Sequence, residues 1–477
     1  MVTLNDCSGQ EEVLSRQQRR NLERKAKKLE KRILQATKRT NLPVTFDNPT
    51  VTSFGPFTYF EAFKTAVAYP ELLTSVTIPC GPNVVYSNAK LLDTLTDTVA
   101  LGMFRFSHMQ ALQDEPVYKE MKGTDTIADE STLRYRLGKM TAENILQLQQ
   151  VNQGLLELQA GLDVAKEVWL DFDDTVITLF GEQEGGQKGY NPRYPGRMSY
   201  KMKVGFVSEV GSLLHMGLYP GKTACNKEFL AFMKESLDML PSNWVAKGVR
   251  MDSGFFDEKN LSFLEELCLE YVCKAKQQTN VKKMIAYIGE QSLWEPLDET
   301  FSVSELDIPL PSWEKARRFV FVRRANLKVK ENLFPEYDYT YQVMVTNMTL
   351  PAADVWRWYN KRCNVENKID ELKQGLALDQ AGQQEMLENA AFSWIKALAY
   401  NLVNWFKQAV LPDSLSSCET PTIRRTVFRV AGNVVGCGRY RHIRLAPNGW
   451  LESVLAAARE NLNHFFRRRS LLTVLNG

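Results

Sequence analysis

Two hydrophobic periods divide the chain. Apolar residues three and four positions apart predict helices over 61–73, 89–112 and 131–159, the first two separated by the turn-prone Pro79-Cys80-Gly81-Pro82. From Glu167 the period shortens toward two. Residues 168–177 partly alternate, 200–207 and 213–219 follow as further strands, and Glu209-Val210-Gly211 supplies a turn between the last two. Phe229, Phe232, Met233, Leu237 and Leu240 return to helical spacing. Residues 248–252 then read as a buried strand ending on an acid, 257–270 as helix and 271–275 as strand.

This order is a three-strand meander, a helix, a strand, a helix and a strand. A helix over 351–373 completes it: Pro351 suits a first helical position, Asp354 the first turn, and Trp358, Val365, Ile369 and Leu372 form an apolar stripe. The whole is the element order of a ribonuclease H-like domain. Between Ala275 and Pro351 lie strand-like runs at 318–322 and 339–345, with Trp294 and Trp313; they read as a mostly β insertion or as a small separate domain, and strands feeding straight into the helix favour the insertion. Residues 386–410 form an apolar helix, and the tail holds a predicted hairpin, 427–435 and 439–445, turning at Gly436-Cys437-Gly438. A last helix ends in Arg467-Arg468-Arg469. The expected fold is thus α/β: a ribonuclease H-like catalytic core interrupted by a mostly β insertion, with a helical N-terminal DNA-binding region and an α+β C-terminal region. The expected division is 1–160 for the basic arm and helical region, 161–276 and 350–410 for the two parts of the core, 277–349 for the insertion and 411–477 for the basic tail.

Charge sharpens the picture. The net +3 conceals residues 11–40, with eleven Lys or Arg against four Glu, and the stretch from Glu419 onward, with ten Arg against three Glu. Each is +7, leaving about −11 between them. Basic ends on a near-neutral chain point to a polyanion, though the first segment also reads as a solvated helix or flexible tail. Within the helical region, Asp129-Glu130-Ser131-Thr132-Leu133-Arg134-Tyr135-Arg136 fits either an ordinary amphipathic helix or a recognition helix presenting Arg134 and Arg136 outward. No apolar run reaches membrane-span length and the first residues lack a signal-peptide layout, so the expected location is cytoplasmic, with no membrane partner. Eight scattered cysteines without a CxxC pair and four separated histidines argue against zinc or a histidine-based nucleophile. Chemistry should fall to carboxylates and a hard, oxygen-loving ion.

Three acidic positions stand out: Asp171/Asp173/Asp174 on the first strand, Asp252 ending the fourth, and Glu366 on the late helix. In a ribonuclease H-like sheet the first and fourth strands are neighbours, which sets Asp173 beside Asp252. Taken singly, Asp252-Ser253-Gly254 is also good turn chemistry and the first cluster a plausible cap. On a single helix Tyr359, Arg362, Glu366 and Lys373 fall within roughly 60° of arc. Such a face suits a metal ion beside phosphates, or a solvated surface in which Arg362 and Glu366 pair. Three converging carboxylates are tolerable when divalent cations sit among them, and two such ions roughly 4 Å apart can drive in-line phosphoryl displacement.

Leu170-Asp171-Phe172-Asp173-Asp174-Thr175-Val176, Arg250-Met251-Asp252-Ser253-Gly254-Phe255 and Tyr359-x2-Arg362-x3-Glu366-x6-Lys373 together resemble the DDE transposases of bacterial insertion sequences. The likeness is to the cut-and-paste group with a β insertion, and Gly181-x-Gln183, Gly189-Tyr190-Asn191-Pro192 and Ala399-Tyr400-Asn401-Leu402 are similar to its flanking sequences. It covers about residues 160–410. The resemblance implies Asp173, Asp252 and Glu366 as catalytic metal ligands for two Mg²⁺, with Mn²⁺ as substitute, and Tyr359, Arg362 and Lys373 as grips on phosphate. Asp174, facing away from Asp173 on a continuing strand, is held in reserve. An insertion-domain aromatic stacks on a flipped base in related enzymes, a role open to Trp294 or Trp313 beside plain core packing. The implied protein is a transposase that binds terminal inverted repeats of double-stranded DNA, pairs two ends as a homodimer, and joins them to target DNA. The alternatives are a ribonuclease H-like metal nuclease and an inactive transposase-derived DNA-binding protein.

Overall fold

In the computed structural model, which describes residues 15–40, 45–162, 165–326, 339–436 and 440–476, the chain forms two units, Met1–Thr50 and Val51–Gly477. The first contributes one basic helix, α1 (Arg16–Thr40), exposed over 16–36. Residues 11–14 of the predicted basic segment lie outside the described residues.

The second unit opens with β1 (Val51–Thr52) and α2 (Phe57–Ala66), then α3 (Asn88–Ala100), α4 (Glu130–Leu137) and α5 (Ala142–Gly161). Two predicted helices are each broken in two. The run at 89–112 stops at Ala100, where Gly102 takes a φ of +82°, a conformation that side chains resist. The run at 131–159 is interrupted after Leu137 and restarts behind a capping box between Thr141 and Asn144.

The middle of the chain builds a sheet: β2 (Lys166–Thr178), β3 (Gln187–Lys188), β4 (Met198–Val207), β5 (Ser212–Pro220), α6 (Phe229–Asp238), β6 (Trp244–Met251), α7 (Glu258–Glu266) and β7 (Glu270–Lys274). After these come α8 (Thr279–Glu290), β8 (Glu295–Pro296), β9 (Phe301–Ile308), β10 (Arg317–Ala325) and β11 (Tyr339–Thr346). The ten strands run in the order β3-β4-β2-β6-β7-β11-β10-β9-β8, with β5 also on β4. β2 is antiparallel to β4 and parallel to β6, and the β2–β6 ladder ends at Phe172↔Met251. Asp173 is the next residue on β2, and Asp252 the first after β6. β11 pairs antiparallel with β7, so the strands read as an insertion extend the same sheet. Helix α8 was not expected there; its apolar residues Val281 and Ile288 are buried.

The remaining elements are α9 (Ala352–Asn360), α10 (Cys363–Asp370), α11 (Met386–Ala409), β12 (Gly432–Val435), β13 (His442–Leu445) and α12 (Gly449–Asn476). Helix α11 is buried along nearly its whole length. From it Tyr400 donates a 2.9 Å bond to the Gly211 carbonyl, and Asn401 both donates to and accepts from the Leu213 backbone, clamping the β4–β5 hairpin. The predicted tail hairpin is shorter than expected: β12 and β13 pair, Val427 and Phe428 belong to a helical turn, and residues 437–439 lie outside the described ones. Among the described residues no helix is long and apolar enough to cross a membrane.

A buried ion pair fastens the sheet to the helices above it. Arg250 on β6 meets its ladder neighbour Asp171 on β2 through two bonds of 2.6 and 2.8 Å and donates a third, at 3.0 Å, to the carbonyl of Trp358 on α9. It also donates to the Ser208 hydroxyl, and only a planar fork satisfies all four acceptors. Arg250→Lys keeps the charge but loses part of this set, and an expected cost of about 1.5–3 kcal/mol is measurable as a lowered urea midpoint.

Candidate active site

Strand alternation sorts the first acidic cluster. Asp171 and Asp173 share one face, and Asp171 is consumed by Arg250. Asp174 points to the other, where Lys201 stands 3.0 Å and Lys203 3.5 Å from its carboxylate. Sequence reasoning missed both lysines, although two lysines at alternate positions of an otherwise apolar strand, facing an acid across the ladder, are a readable signal.

Asp173 accepts the Asp174 backbone N–H at 2.8 Å and faces the Arg362 guanidinium at 3.0 Å. Burial pushes its carboxyl above the ordinary range; Arg362 opposes this, while Asp252 and Glu366 add to it by repulsion. Asp252 follows β6 and begins a tight turn through its own carbonyl, which accepts the Phe255 N–H at 3.0 Å. Among the described residues its carboxylate has neither an ion pair nor a hydrogen bond. Glu366 is largely solvent-exposed, with Arg362 3.4 Å away.

The helix predicted over 351–373 is not continuous. It starts at Ala352, after Pro351, breaks at Lys361–Arg362, resumes as α10 and widens into a π turn over Glu371–Gly375. At the break Arg362 is 3% exposed, pairs with Asp173 and donates to the Phe172 carbonyl at 3.3 Å. Across the interruption Arg362 and Glu366 still meet as an i,i+4 pair, but the signature residues differ in burial. Arg362 enters the sheet, Glu366 meets solvent, and Lys373 joins Asp173, Asp174 and Asp252 around a cleft of about 480 Å³. Burial lowers the Lys373 ammonium pKa and raises the Tyr359 phenol pKa.

Several other expected contacts are relocated. Arg136 is buried, donating to Asn88 and, at 3.0 Å, to the Tyr86 carbonyl, and so is not presented outward; Arg134 pairs with Glu130 at 2.6 Å and is half exposed. Trp313 packs among Phe256, Phe319 and Arg317, and Trp294 against Arg323 and Tyr341. Neither tryptophan lines the acid cleft.

Asp173, Asp252 and Glu366 offer the hard oxygen donors that a divalent cation prefers. In this arrangement Arg362 is the cation between two of them. A different trio, Glu61, Asp93 and Asp97, brings its ligand atoms within 4.8 Å of one another. It does not fit a metal, because the ammonium groups of Lys64 and Lys122 each contact all three carboxylates.

No curated protein matches the chain. Among solved structures it is similar to a cryo-EM structure of the piggyBac transposase synaptic complex with hairpin DNA, at 11% identity and a TM-score of 0.39, covering 87% of this chain and 82% of that one. The family model described as transposase DDE domain group 1 matches residues 34–466, most of the chain. With more than half of its length matched, the chain belongs to the transposase DDE domain group 1 family.

Proposed function

We propose that this transposase cuts DNA at the terminal inverted repeats of its own insertion sequence and transfers the 3′ ends to target DNA, through Asp173, Asp252 and Glu366 on a ribonuclease H-like core. The observation that carries this reading is the placement of Asp173 and Asp252 as the residues directly after the last rung of the parallel β2–β6 ladder, with Arg362 linking Asp173 to the Glu366 helix. The three carboxylates would hold Mg²⁺, or Mn²⁺ in its place, and two ions there would activate a water or 3′-hydroxyl and stabilise the leaving oxygen.

The chain's own cations do the positioning. Lys373 stands on the acid cleft as a point charge for a phosphate oxygen, and Tyr359 offers a phenol that burial keeps protonated. Arg362 holds the Asp173 and Glu366 carboxylates as a pair, and with those carboxylates committed to divalent ions its guanidinium would be left for phosphate oxygens. Residues 1–160, including the exposed basic helix α1, form the repeat-binding region, 161–276 and 350–410 the core, 277–349 the insertion and 411–477 a basic tail that adds phosphate contacts. Two copies pair two ends in the synaptic complex, with the protein working at the nucleoid in the cytoplasm.

The test is incubation of the purified chain and Mg²⁺ with the DNA that flanks its reading frame. Mg²⁺-dependent cuts at inverted repeats, followed by joining to a second duplex, are expected. Cleavage without joining would replace this reading with a metal nuclease, and specific binding without cleavage with an inactive DNA-binding protein.

A further inference from the structure

One wall of the acid cleft is made of residues that neither supply acid ligands nor pack the core. Phe180 and Tyr190 are 69% and 75% exposed and Tyr194 is 37% exposed, and all three line the cleft that holds Asp173 and Asp252. Guanidinium groups are interleaved with them. Arg197 lies 5.2 Å from the Phe180 ring centre and Arg193 5.6 Å from that of Tyr194. The rings of Phe180 and Tyr194 meet edge to face at 5.6 Å.

The loop's own backbone holds this wall in place. Tyr194-Pro195-Gly196-Arg197 closes a turn in which the Arg197 N–H donates to the Tyr194 carbonyl at 3.2 Å and Gly196 takes a φ of +81°. Proline then glycine at the two central positions is type II chemistry. The turn sets Tyr194 and Arg197 next to each other. Buried Asn191 ties the loop back to β2, donating to Thr178 Oγ1 at 3.0 Å and accepting the Tyr194 N–H at 3.1 Å. Ahead of Tyr190, Gly189 runs so close to the Gly221 carbonyl that an added Cβ would lie 1.9 Å from its oxygen. The rings are thus kept at the surface by a well-tied scaffold.

We infer that this wall takes a single-stranded DNA segment leading into the acids, its bases stacking on Tyr190 and Phe180 and its phosphates meeting Arg193 and Arg197. Exposed rings beside guanidinium groups are the chemistry that single strands use, because every unpaired base has a face to stack and every nucleotide a charge to neutralise. An intact duplex buries its base faces in its own stack. The wall therefore favours strands that are frayed or already separated. The choice of DNA as ligand rests on the end-cutting function proposed above.

The test is binding in EDTA, where no cutting occurs. A short fluorescein-labelled dT oligomer and a blunt duplex of equal length are titrated against the full chain and its variants. Phe180→Ala and Tyr190→Ala should each weaken oligomer binding by about tenfold while leaving duplex binding within about twofold. Tyr190→Phe, which keeps the ring, should bind like the unmodified chain. Oligomer affinity unchanged in both alanine variants, or equal losses on oligomer and duplex, would overturn the assignment. Mg²⁺-dependent cutting by the same preparations reads the other proposal separately. A chain that cuts while its rings are indifferent refutes the wall alone, and ring-dependent oligomer binding without cutting refutes the end-cutting function alone.

Discussion

Asp252→Asn is expected to reduce Mg²⁺-dependent cleavage at element ends by more than about 100-fold while leaving DNA binding in EDTA within about twofold. The lower bound follows from residues one layer behind a metal ligand, whose loss typically costs about 10–100-fold; a ligand itself should cost more. Asp252 makes the cleanest test of the three acids. Among the described residues its carboxylate is engaged by no ion pair or hydrogen bond, so an isosteric amide costs the fold little. Asp173 is different, because its neutralisation would leave the buried Arg362 with one counter-charge fewer. Glu366→Gln serves as the parallel variant on an exposed side chain. Single-turnover cleavage within tenfold of the unmodified chain for Asp252→Asn would remove Asp252 from the catalytic set.

Lys64→Met should destabilise the chain by about 3–5 kcal/mol, the range for stripping one partner from a buried ion pair. Lys64 is 1% exposed and sits between Asp93 at 2.7 Å, Glu61 at 2.9 Å and the fully buried Asp97. Without it, three carboxylates share the single ammonium of Lys122, with Tyr118 donating to Asp97 at 2.7 Å. The deficit should depend on pH. Burial, with repulsion from Glu61, already lifts the Asp97 carboxyl above its ordinary value, and losing a cation lifts it further. A carboxyl whose pKa is higher folded than unfolded takes up a proton on folding between the two values, so stability rises as pH falls through that window. Urea midpoints at pH 8 and pH 5 should therefore show a smaller gap between variant and unmodified chain at the lower pH. An equal gap at both would mean that Asp97 stays ionised without Lys64.

The strands that carry the acids were legible because alternation and β-branched or aromatic residues are local signals: β2, β4, β5, β6 and β7 lie within a few residues of their predicted bounds. What escaped is tertiary in origin. Periodicity over 351–373 cannot reveal that Arg362 turns inward at the break to meet Asp173 and the Phe172 carbonyl, which is 190 residues away in sequence. Arg136 looked like a DNA contact because nothing nearby shows that Asn88 and Tyr86 claim it. Tyr190 stood in view only as part of a flanking motif; its value lies in exposure, which spacing does not encode. The choice between Asp173 and Asp174 was visible as a question of strand face, and Lys201 and Lys203 now give Asp174 an occupation of its own.

A second sheet, of β1, β12 and β13, carries a consequence for how the molecule is made. β1 pairs with β12 through Val51↔Asn433 and Thr52↔Gly432, and just behind β1 the rings of Phe57 and Phe60 lie 5.2 and 5.1 Å from that of Phe428. At about 5–20 residues per second on the ribosome, roughly 20–75 s separate the synthesis of these partners. During that interval the nascent chain carries an unpaired strand edge and uncovered phenylalanines. A product that stopped short of residue 428 would keep them, which makes early termination a route to chaperone capture and aggregation.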